Sequence, residues 1–408
     1  MRSSVAYQKA IWACGLLAFF ASSAALPGAA VALVTEVIDA NGDGGGNILG
    51  EPCGVAVDGA GNVYVAGFAS DNAFKITPVG VISKIIDANG DGLGNTLDGA
   101  FDIAVDGGGT VYVTGQISDN AFKITAGGVV SEIIDATGDG TNTLNEPHGV
   151  AVDTFGNVYI TGFLSDNAFK ITPGGVVSEI IDASGDGIGN VLVTPPAIAV
   201  DAVGNVYVPG FSSHNAFKIT PGGVITQIID GSGAGGSETL VNPYDIAVAT
   251  TGEVYIPGFL SNNVFEVTSG GTISVIIDAS GDGLGNLLTN PTSVAVSLVG
   301  SVYVTGTFSN NAFKINPLGV VRQLIDATGD GAGNPLGLPF AIAKGTTSPG
   351  PVYVAGQSTH NVFRFTVIPP PIAPVPGLSN GSLLVLAFLL VGAGAVGLSN
   401  RFRPPRAA

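Results

Sequence analysis

Residues 102–135 read DIAVDGGGTVYVTGQISDNAFKITAGGVVSEIID, and this stretch decides the fold of the chain. It contains four runs of five to seven residues that are rich in Val, Ile, Tyr and Phe, with Gly, Asn, Asp and Thr between them. Short runs of this composition, separated by turn-forming residues, are typical of β-strands and lack the periodicity of a helix. The stretch therefore predicts four consecutive antiparallel strands, which we call a, b, c and d.

The same unit recurs along the chain, and a tyrosine in strand b marks each copy. The seven tyrosines are spaced by 47 to 50 residues and are Tyr64, Tyr112, Tyr159, Tyr207, Tyr255, Tyr303 and Tyr353. Four short strands in a repeat of roughly 40–50 residues are the signature of one blade of a β-propeller. The sequence thus predicts an all-β fold, a seven-bladed propeller with four-stranded antiparallel blades.

The two ends of the repeat region decide between a closed ring and an open solenoid. The segment LVTEVID at residues 33–39 matches strand d alone, whereas the last unit stops after strand c at residues 361–366. Together these segments make one complete blade. Such a split closes a ring and leaves no unpaired inner edge, while a solenoid needs polar caps at its ends. We therefore expect the N-terminal strand to complete the last blade.

Residues 145–160, NEPHGVAVDTFGNVYI, resemble the NHL-repeat pattern Pro-x-Gly-Ile-Ala-Val-Asp…Gly-Asn-Ile-Tyr-Val. The resemblance extends over residues 33–367 and implies a propeller fold. It does not fix an activity, because NHL-like propellers include lyases, lactonase-like enzymes and binding modules. The Asn-His-Arg start of the third strand in that family is Asp71-Asn72-Ala73 in the first repeat here. The arginine-dependent RNA or protein contacts of the family are therefore not expected.

The N-terminal residues 1–32 predict a secretory signal peptide. Arg2 and Lys9 precede an apolar run at residues 10–26, and the sequence AVA at residues 30–32 fits a cleavage site. Cys14 precedes most of the apolar run, so a lipoprotein anchor is not expected. Cleavage leaves Cys53 as the one cysteine of the mature chain, and a disulfide within the chain is therefore excluded.

The C-terminus predicts a stiff proline-rich linker at residues 368–382 and an apolar helix with a basic end at residues 383–408. Its uncharged stretch has 16 residues, against about 20 for a membrane span. The sequence VPGLS at residues 375–379, the apolar segment and the final arginines resemble the PEP-CTERM or IPTL-CTERM sorting tails of Gram-negative bacteria, which implies cleavage by an exosortase-type protease. A retained membrane anchor is the alternative. Both place the propeller in the periplasm, on the outer surface or outside the cell.

The predicted propeller is strongly acidic. Residues 33–367 carry nine Lys and Arg against 31 Asp and Glu, a formal net charge of −22. Such a surface repels the phosphate backbone of nucleic acids and attracts cations and basic partners. We therefore predict a monomeric propeller that binds a protein, glycan or matrix ligand and no nucleic acid.

Because neighbouring strands are antiparallel, the long d–a and b–c connections should lie on one face of the ring, here called the long-loop face. The d–a loops at Asp39 and Asp87 have the pattern Asp-x-Asn-x-Asp-Gly, which is the first half of a calcium-binding loop. Four other loops have the weaker ligands Thr or Ser at the third position, and the loop at Asp230 has Ala234 in place of the second aspartate and is not expected to bind. The candidate calcium ligands are Asp39, Asn41, Asp43, Asp87, Asn89, Asp91, Asp98, Asp135, Thr137, Asp139 and Glu146. In the alternative interpretation, these side chains cap the turns of their own loops and no cation binds.

Departures from the repeat are the place to look for a catalytic site, since residues found in every blade are explained by packing. Histidine occurs at His148, His214 and His360 alone. His148 begins a strand a near the mouth of the ring, where NHL-like lyases carry metal-binding or catalytic histidines. A metal-dependent lyase or lactonase-like hydrolase with its site at the central channel would use His148 with Asp102 or Asp245.

Motifs of common enzyme classes are missing from the sequence. It has no Gly-x-Ser-x-Gly elbow, phosphate loop or His-Glu-x-x-His motif. The near-perfect symmetry of the repeats and the acidic loops favour a non-enzymatic binding or scaffold propeller, with the enzyme as the alternative. Calcium is the one cofactor that the loops suggest.

Overall fold

Short β-branched runs alternate with Gly- and Asp-containing turns and form 28 strands in the described residues, 31–347 and 350–368 of a computed structural model. The predicted signal peptide lies outside this part except for its last two residues, and the predicted linker and C-terminal helix lie outside it except for Ile368. Within this part of the chain, no helix is long and apolar enough to span a membrane.

The strands form seven four-stranded sheets, each a blade. The first blade contains β2 (Pro52–Val57), β3 (Val63–Gly67), β4 (Asn72–Ile76) and β5 (Ile82–Ile86). The second contains β6 (Ala100–Val105), β7 (Val111–Gly115), β8 (Asn120–Ile124) and β9 (Val130–Ile134). The third contains β10 (Pro147–Val152), β11 (Val158–Gly162), β12 (Asn167–Ile171) and β13 (Val177–Ile181). A 3-10 turn at Phe68–Ser70 follows β3.

The remaining blades repeat this order. The fourth contains β14 (Ala199–Val200), β15 (Val206–Gly210), β16 (Asn215–Ile219) and β17 (Ile225–Ile229). The fifth contains β18 (Ala247–Val248), β19 (Val254–Gly258), β20 (Asn263–Val267) and β21 (Ile273–Ile277). The sixth contains β22 (Pro291–Val296), β23 (Val302–Gly306), β24 (Asn311–Ile315) and β25 (Val321–Ile325). The seventh contains β26 (Pro339–Lys344), β27 (Val352–Gly356), β28 (Asn361–Ile368) and β1 (Val31–Ile38).

The core lies between neighbouring blades. Tyr64 of the first blade, for example, packs in one cluster with Val113 and Phe122 of the second. The phenylalanine of strand c is fully buried in every blade: Phe74, Phe122, Phe169, Phe217, Phe265, Phe313 and Phe363. Burial of one such side chain contributes about 1.5–3 kcal/mol, and this contribution repeats around the ring. Packing thus accounts for the repeated aromatic residues.

The ring closes as the sequence predicts, because β1 pairs with β28 at the edge of the seventh blade. The Nδ2 atom of Asn361 donates a hydrogen bond to Glu36 Oε1 at 2.9 Å. Ile38 then packs in the cluster shared by the last and first blades, together with Phe74 and Tyr353. The strand begins two residues before the predicted segment at residues 33–39 and ends one residue earlier.

A hydrogen bond of one repeated kind occurs at every junction between neighbouring blades on the long-loop face. A b–c loop side chain accepts it from a backbone N–H at 2.7–3.1 Å. The seven acceptors have φ of 50–55° and are Asp71, Asp119, Asp166, His214, Asn262, Asn310 and His360. Asn, Asp and His are the side chains that tolerate this left-handed conformation best after glycine. His214 and His360 therefore have a structural role as acceptors through Nδ1.

Candidate functional site

The innermost strand of each blade begins at the long-loop face, and its first residues surround the central channel. Counting from Pro52 and its equivalents, the second position holds Cys53, Phe101, His148, Pro196, Tyr244, Thr292 and Phe340. The third position holds Gly54, Asp102, Gly149, Ala197, Asp245, Ser293 and Ala341. The Val-Ala-Val segment that follows is nearly constant. The blades thus differ from each other mainly where they meet the channel.

A cavity of about 170 Å³ lies in the channel at this level. Its walls include three aromatic side chains, Phe101, Tyr244 and Phe340, and the two carboxyl groups of Asp102 and Asp245. Thr292 and Ser293 add hydroxyl groups, and Cys53 adds a thiol. The cavity therefore combines an apolar wall with acidic groups.

Asp102 comes from the second blade and binds the third. Its Oδ1 atom accepts a hydrogen bond from the N–H of Ile103 at 2.8 Å, and Oδ2 accepts one from the N–H of Val150 at 2.9 Å. Asp102 is half-buried, because its side chain faces the cavity, although the residue lies deep in the ring. Burial, with a smaller contribution from the charge of Asp245, raises the pKa of Asp102 to about 7.

Asp245 holds the same position between the fifth and sixth blades. Its carboxylate accepts hydrogen bonds from the N–H of Ile246 at 2.7 Å, the N–H of Val294 at 2.8 Å and the hydroxyl of Ser293 at 2.9 Å. Burial raises the pKa of Asp245 to about 6. The structure thus brings two of the three candidate catalytic residues into one cavity.

Aromatic side chains surround the mouth of the channel on the long-loop face. Phe101 and Tyr244 each meet Phe340 edge to face, with centroids 5.9 Å and 5.5 Å apart, a favoured geometry for aromatic pairs. The contacts continue outward to the b–c loops, and we call the whole set the aromatic collar: Phe68, Phe101, His148, Phe163, Phe211, Tyr244, Phe259, Phe308 and Phe340.

His148 lies within the aromatic collar. Its ring is stacked between Phe101 and Phe163 at centroid distances of 4.2 Å and 4.1 Å, and 4% of the residue is exposed. Among the residues that the structure describes, neither ring nitrogen has a hydrogen-bond partner, and both are shielded from solvent. Burial lowers the pKa of His148 to about 3, so the ring is neutral at physiological pH. His148 does not belong to the residues that line the described cavity.

Cys53 is buried at the cavity wall as a free thiol. Its sulfur accepts a hydrogen bond from Gln357 Nε2 at 3.3 Å. Burial raises the pKa of Cys53 to about 12. Because the thiolate is the nucleophilic form, this cysteine is unreactive at neutral pH.

The aspartates of the d–a loops hydrogen-bond within their own loops. Asp91 accepts from the N–H of Leu93 and the side chain of Asn95, both at 2.8 Å. Asp43 and Asp139 make the same kind of contacts with the Asn residues that follow them. These hydrogen bonds lower the pKa of the three carboxyl groups. The loops are therefore ordered and negatively charged at neutral pH.

The first aspartates of these loops are also engaged. Asp39 and Asp87 accept from the backbone N–H and the side chain of Asn41 and Asn89 respectively, at 2.9–3.1 Å. Asp87 additionally forms an ion pair with Lys84 at 2.7 Å. Asp135 accepts from both the N–H and the hydroxyl of Thr137.

Of the two proposed closing carboxylates, one contacts a glutamine and the other is exposed to solvent. Glu146 accepts a hydrogen bond from Gln116 Nε2 at 3.2 Å, and Asp98 is exposed. Within residues 31–347 and 350–368, no group of three or more His, Cys, Asp or Glu side chains is placed as metal ligands would be. Calcium binding by these loops stays a prediction.

The loops of the long-loop face also expose large apolar side chains. Leu93, Ile188 and Leu284 lie at the tips of d–a loops and are 85–87% exposed. Four b–c loops add further side chains that are more than half exposed: Ile117, Leu164, Leu260 and Phe308. The face therefore alternates acidic and apolar groups.

Fold and site define the chain as a seven-bladed β-propeller with an acidic, aromatic channel mouth. The β-propeller repeat family SBBP matches residues 137–162, which supports a propeller repeat protein. A search of curated protein sequences finds no match.

Similar solved structures have mixed functions. The superposition with a streptogramin B lyase covers 83% of this chain and 98% of the lyase chain, at 14% sequence identity and a TM-score of 0.63. The virginiamycin B lyase from Staphylococcus aureus gives the same score and identity, with 83% and 100% covered. An auxiliary nutrient binding protein from Bacteroides thetaiotaomicron gives 0.51 at 10% identity, with 83% and 77% covered. At these identities the likeness shows the fold alone.

Proposed function

We propose that this chain is an exported, non-enzymatic binding propeller whose long-loop face holds a basic protein or matrix partner. The observation that carries this proposal is the exposure of Leu93, Ile188 and Leu284 at the tips of acidic loops. Large apolar side chains exposed together on one face commonly mark interaction sites. The surrounding carboxylates favour a partner with positive charge.

The order of the loops supports this role. Hydrogen bonds such as those from Leu93 and Asn95 to Asp91 fix each loop tip. A surface that is already ordered loses little conformational entropy when a partner binds. The net charge of −22 on residues 33–367 also steers basic partners toward the ring.

Export is part of the proposal and rests on the signal-peptide pattern at residues 1–32. Cleavage after Ala32 would leave Leu33 as the first residue and retain six residues of β1 for closure of the ring. Mass spectrometry of the secreted or periplasmic protein tests this cleavage site. The same spectrum reports whether the segment at residues 383–408 is removed, as the sorting tail requires, or kept as an anchor.

A metal-dependent lyase or lactonase-like hydrolase is the second candidate. It draws support from the cavity that Asp102 and Asp245 share. His148 would have to leave its stack between two phenylalanine rings to take part.

The binding proposal is tested by partner retention on the immobilised protein from an envelope extract. The variant Leu93→Ser/Ile188→Ser/Leu284→Ser removes the apolar tips. The control Val129→Ser/Val176→Ser/Val224→Ser removes three valines that are 62–66% exposed in the c–d turns of the opposite face. We expect a basic protein that the native chain and the control retain and the tip variant loses. Equal retention by all three proteins would contradict the proposal.

A further inference from the structure

We propose that the central cavity is a binding site for one small organic cation, a protonated amine or a quaternary ammonium group, which enters from the long-loop face. The site concerns the channel and goes beyond the partner binding proposed for the loop tips. Its three parts are a pair of carboxyl groups, an aromatic wall and a matching volume.

The carboxyl groups give the cavity its charge preference. Asp102 and Asp245 belong to the second and fifth of seven blades and both line the cavity. The residues that line this described cavity include no Lys, Arg or His. A carboxylate has about four acceptor sites, and Asp102 uses two of them for backbone N–H groups. Acceptor capacity thus remains for a donor or a positive charge in the channel.

The fold does not require these acids. At the same position the other five blades have Gly54, Gly149, Ala197, Ser293 and Ala341, and those blades assemble without a carboxyl group. Placing an unpaired acid deep in a protein costs free energy, and the raised pKa values of Asp102 and Asp245 reflect that cost. A bound cation would offset it.

The aromatic wall favours an organic cation over an inorganic one. Phe101, Tyr244 and Phe340 line the cavity, and aromatic faces attract ammonium groups within about 6 Å of the ring centroid. Calcium instead takes six to eight oxygen ligands. In this cavity the oxygens of Asp102 and Asp245 already accept backbone N–H groups, and the aromatic rings present carbon surface.

The volume fits a small ligand. The cavity measures about 170 Å³, and an apolar cavity of roughly 150 Å³ is known to accept benzene. A trimethylammonium or benzylammonium group is of that size class. Larger substituents of the ligand would extend past the aromatic collar toward the acidic loops.

The test is calorimetric titration of the purified protein with choline, tetramethylammonium and benzylamine. The neutral control is 3,3-dimethyl-1-butanol, which has the shape of choline without its charge. We expect one saturable site for at least one of the cations, with an affinity at least tenfold, or about 1.4 kcal/mol, above that of the neutral alcohol. Weaker binding at low pH should accompany protonation of Asp102 and Asp245, with Tyr244 and Cys53 as the other titratable groups that face the cavity.

Variants locate the site. Asp102→Asn and Asp245→Asn should each weaken cation binding about tenfold. Asp166→Asn is the matched control, because it removes one charge on the long-loop face yet keeps an inter-blade acceptor, as Asn262 and Asn310 do. We expect this control to bind like the native protein.

Four outcomes would overturn the proposal: no cation binds at tens of millimolar, the neutral alcohol binds equally well, the control loses as much affinity as the cavity variants, or calcium displaces the cation. If the cavity variants do not fold, the comparison of choline with its neutral analogue in the native protein still decides. Partner retention by the tip variants is a separate readout, so each proposal can fail alone.

Discussion

The Nδ1 atom of His360 accepts a hydrogen bond from the backbone N–H of Glu51 at 2.8 Å, and this bond joins the last blade to the first. It is the closing member of the series of seven inter-blade bonds. Because Nδ1 can accept only when it carries no proton, the contact requires neutral histidine with its hydrogen on Nε2.

The first prediction concerns this bond. His360→Ala should lower the free energy of unfolding by about 1–3 kcal/mol, because the N–H of Glu51 loses its partner and a left-handed residue loses a side chain suited to it. His360→Asn should retain most of the stability, since Asn310 makes the same contact in the sixth blade. Urea unfolding of both variants measures the difference. Equal destabilisation by Ala and Asn would show that the accepted hydrogen bond does not matter.

The second prediction concerns the approach of neighbouring blades at the channel. A Cβ atom on Gly149 would lie 2.7 Å from the Cα of Ala197, which is backbone of the next blade. Gly149→Ala should therefore cost about 1–3 kcal/mol through overpacking. The control Gly107→Ala adds the same methyl group in a turn where nothing lies within 4 Å. Similar melting temperatures for both variants would contradict the packing described at the third position.

The closed ring could be predicted from the sequence because the residues that form its strands and core recur at regular intervals. Tyr112 and Phe122 of the second repeat have an equivalent tyrosine in strand b and phenylalanine in strand c of every other repeat. The split of the last blade between residues 33–39 and 361–366 is also visible in the sequence pattern. Strand ends shifted by one or two residues, since hydrogen bonding at the end of a strand depends on its neighbour. The two-residue β14 follows Pro195 and Pro196, which have no N–H to donate to the sheet.

The residues of the channel site could be predicted from the sequence only in part. The alternative enzyme predicted from the sequence uses Asp102 or Asp245 as a partner of His148, and the two aspartates line the cavity, whereas His148 does not. The aromatic collar was missed because its members come from two positions in different blades, such as Phe101 in strand a and Phe163 after strand b. The variable second position of strand a was the signal that could have revealed it. The burial of His148 between two rings depends on side-chain packing that no sequence pattern contains.

The third prediction concerns pH. The pKa of Asp102 is raised from its ordinary value of 3.8 to about 7, so the folded protein keeps a proton that the unfolded chain releases between these values. Stability from this group therefore falls as pH rises from about 4 to 7. Asp102→Asn loses one of the two accepted N–H bonds at every pH but carries no charge, so its stability relative to the native chain should rise by about 1–2 kcal/mol between pH 4 and pH 8. Thermal unfolding at both pH values measures this, and a gain that does not depend on pH would refute the assignment.

The fourth prediction concerns the d–a loops. Asp139 accepts hydrogen bonds from Thr141 and Asn142 in its own loop. Asp139→Ala should lower the melting temperature in the presence of a chelator, whereas Asp139→Asn should lower it less because one acceptor oxygen remains. Calcium should leave all three proteins unchanged if turn capping is the role of this residue. A rise in melting temperature with calcium, lost in Asp139→Ala, would instead establish a calcium loop.

The most direct test of the closed ring compares the stability of the chain with and without β1. The ring places Asp102, Asp245 and the aromatic collar around one channel, and β1 completes its last blade. Removing residues 1–38 exposes the edge of β28 and deletes Ile38 from the shared core, whereas removing residues 1–32 keeps both contacts. We predict that the first deletion lowers the melting temperature by more than about 10 °C, or yields oligomers through the free edge, and that the second behaves as the mature protein. Equal melting temperatures and unchanged amide exchange in β28 would contradict the closed ring.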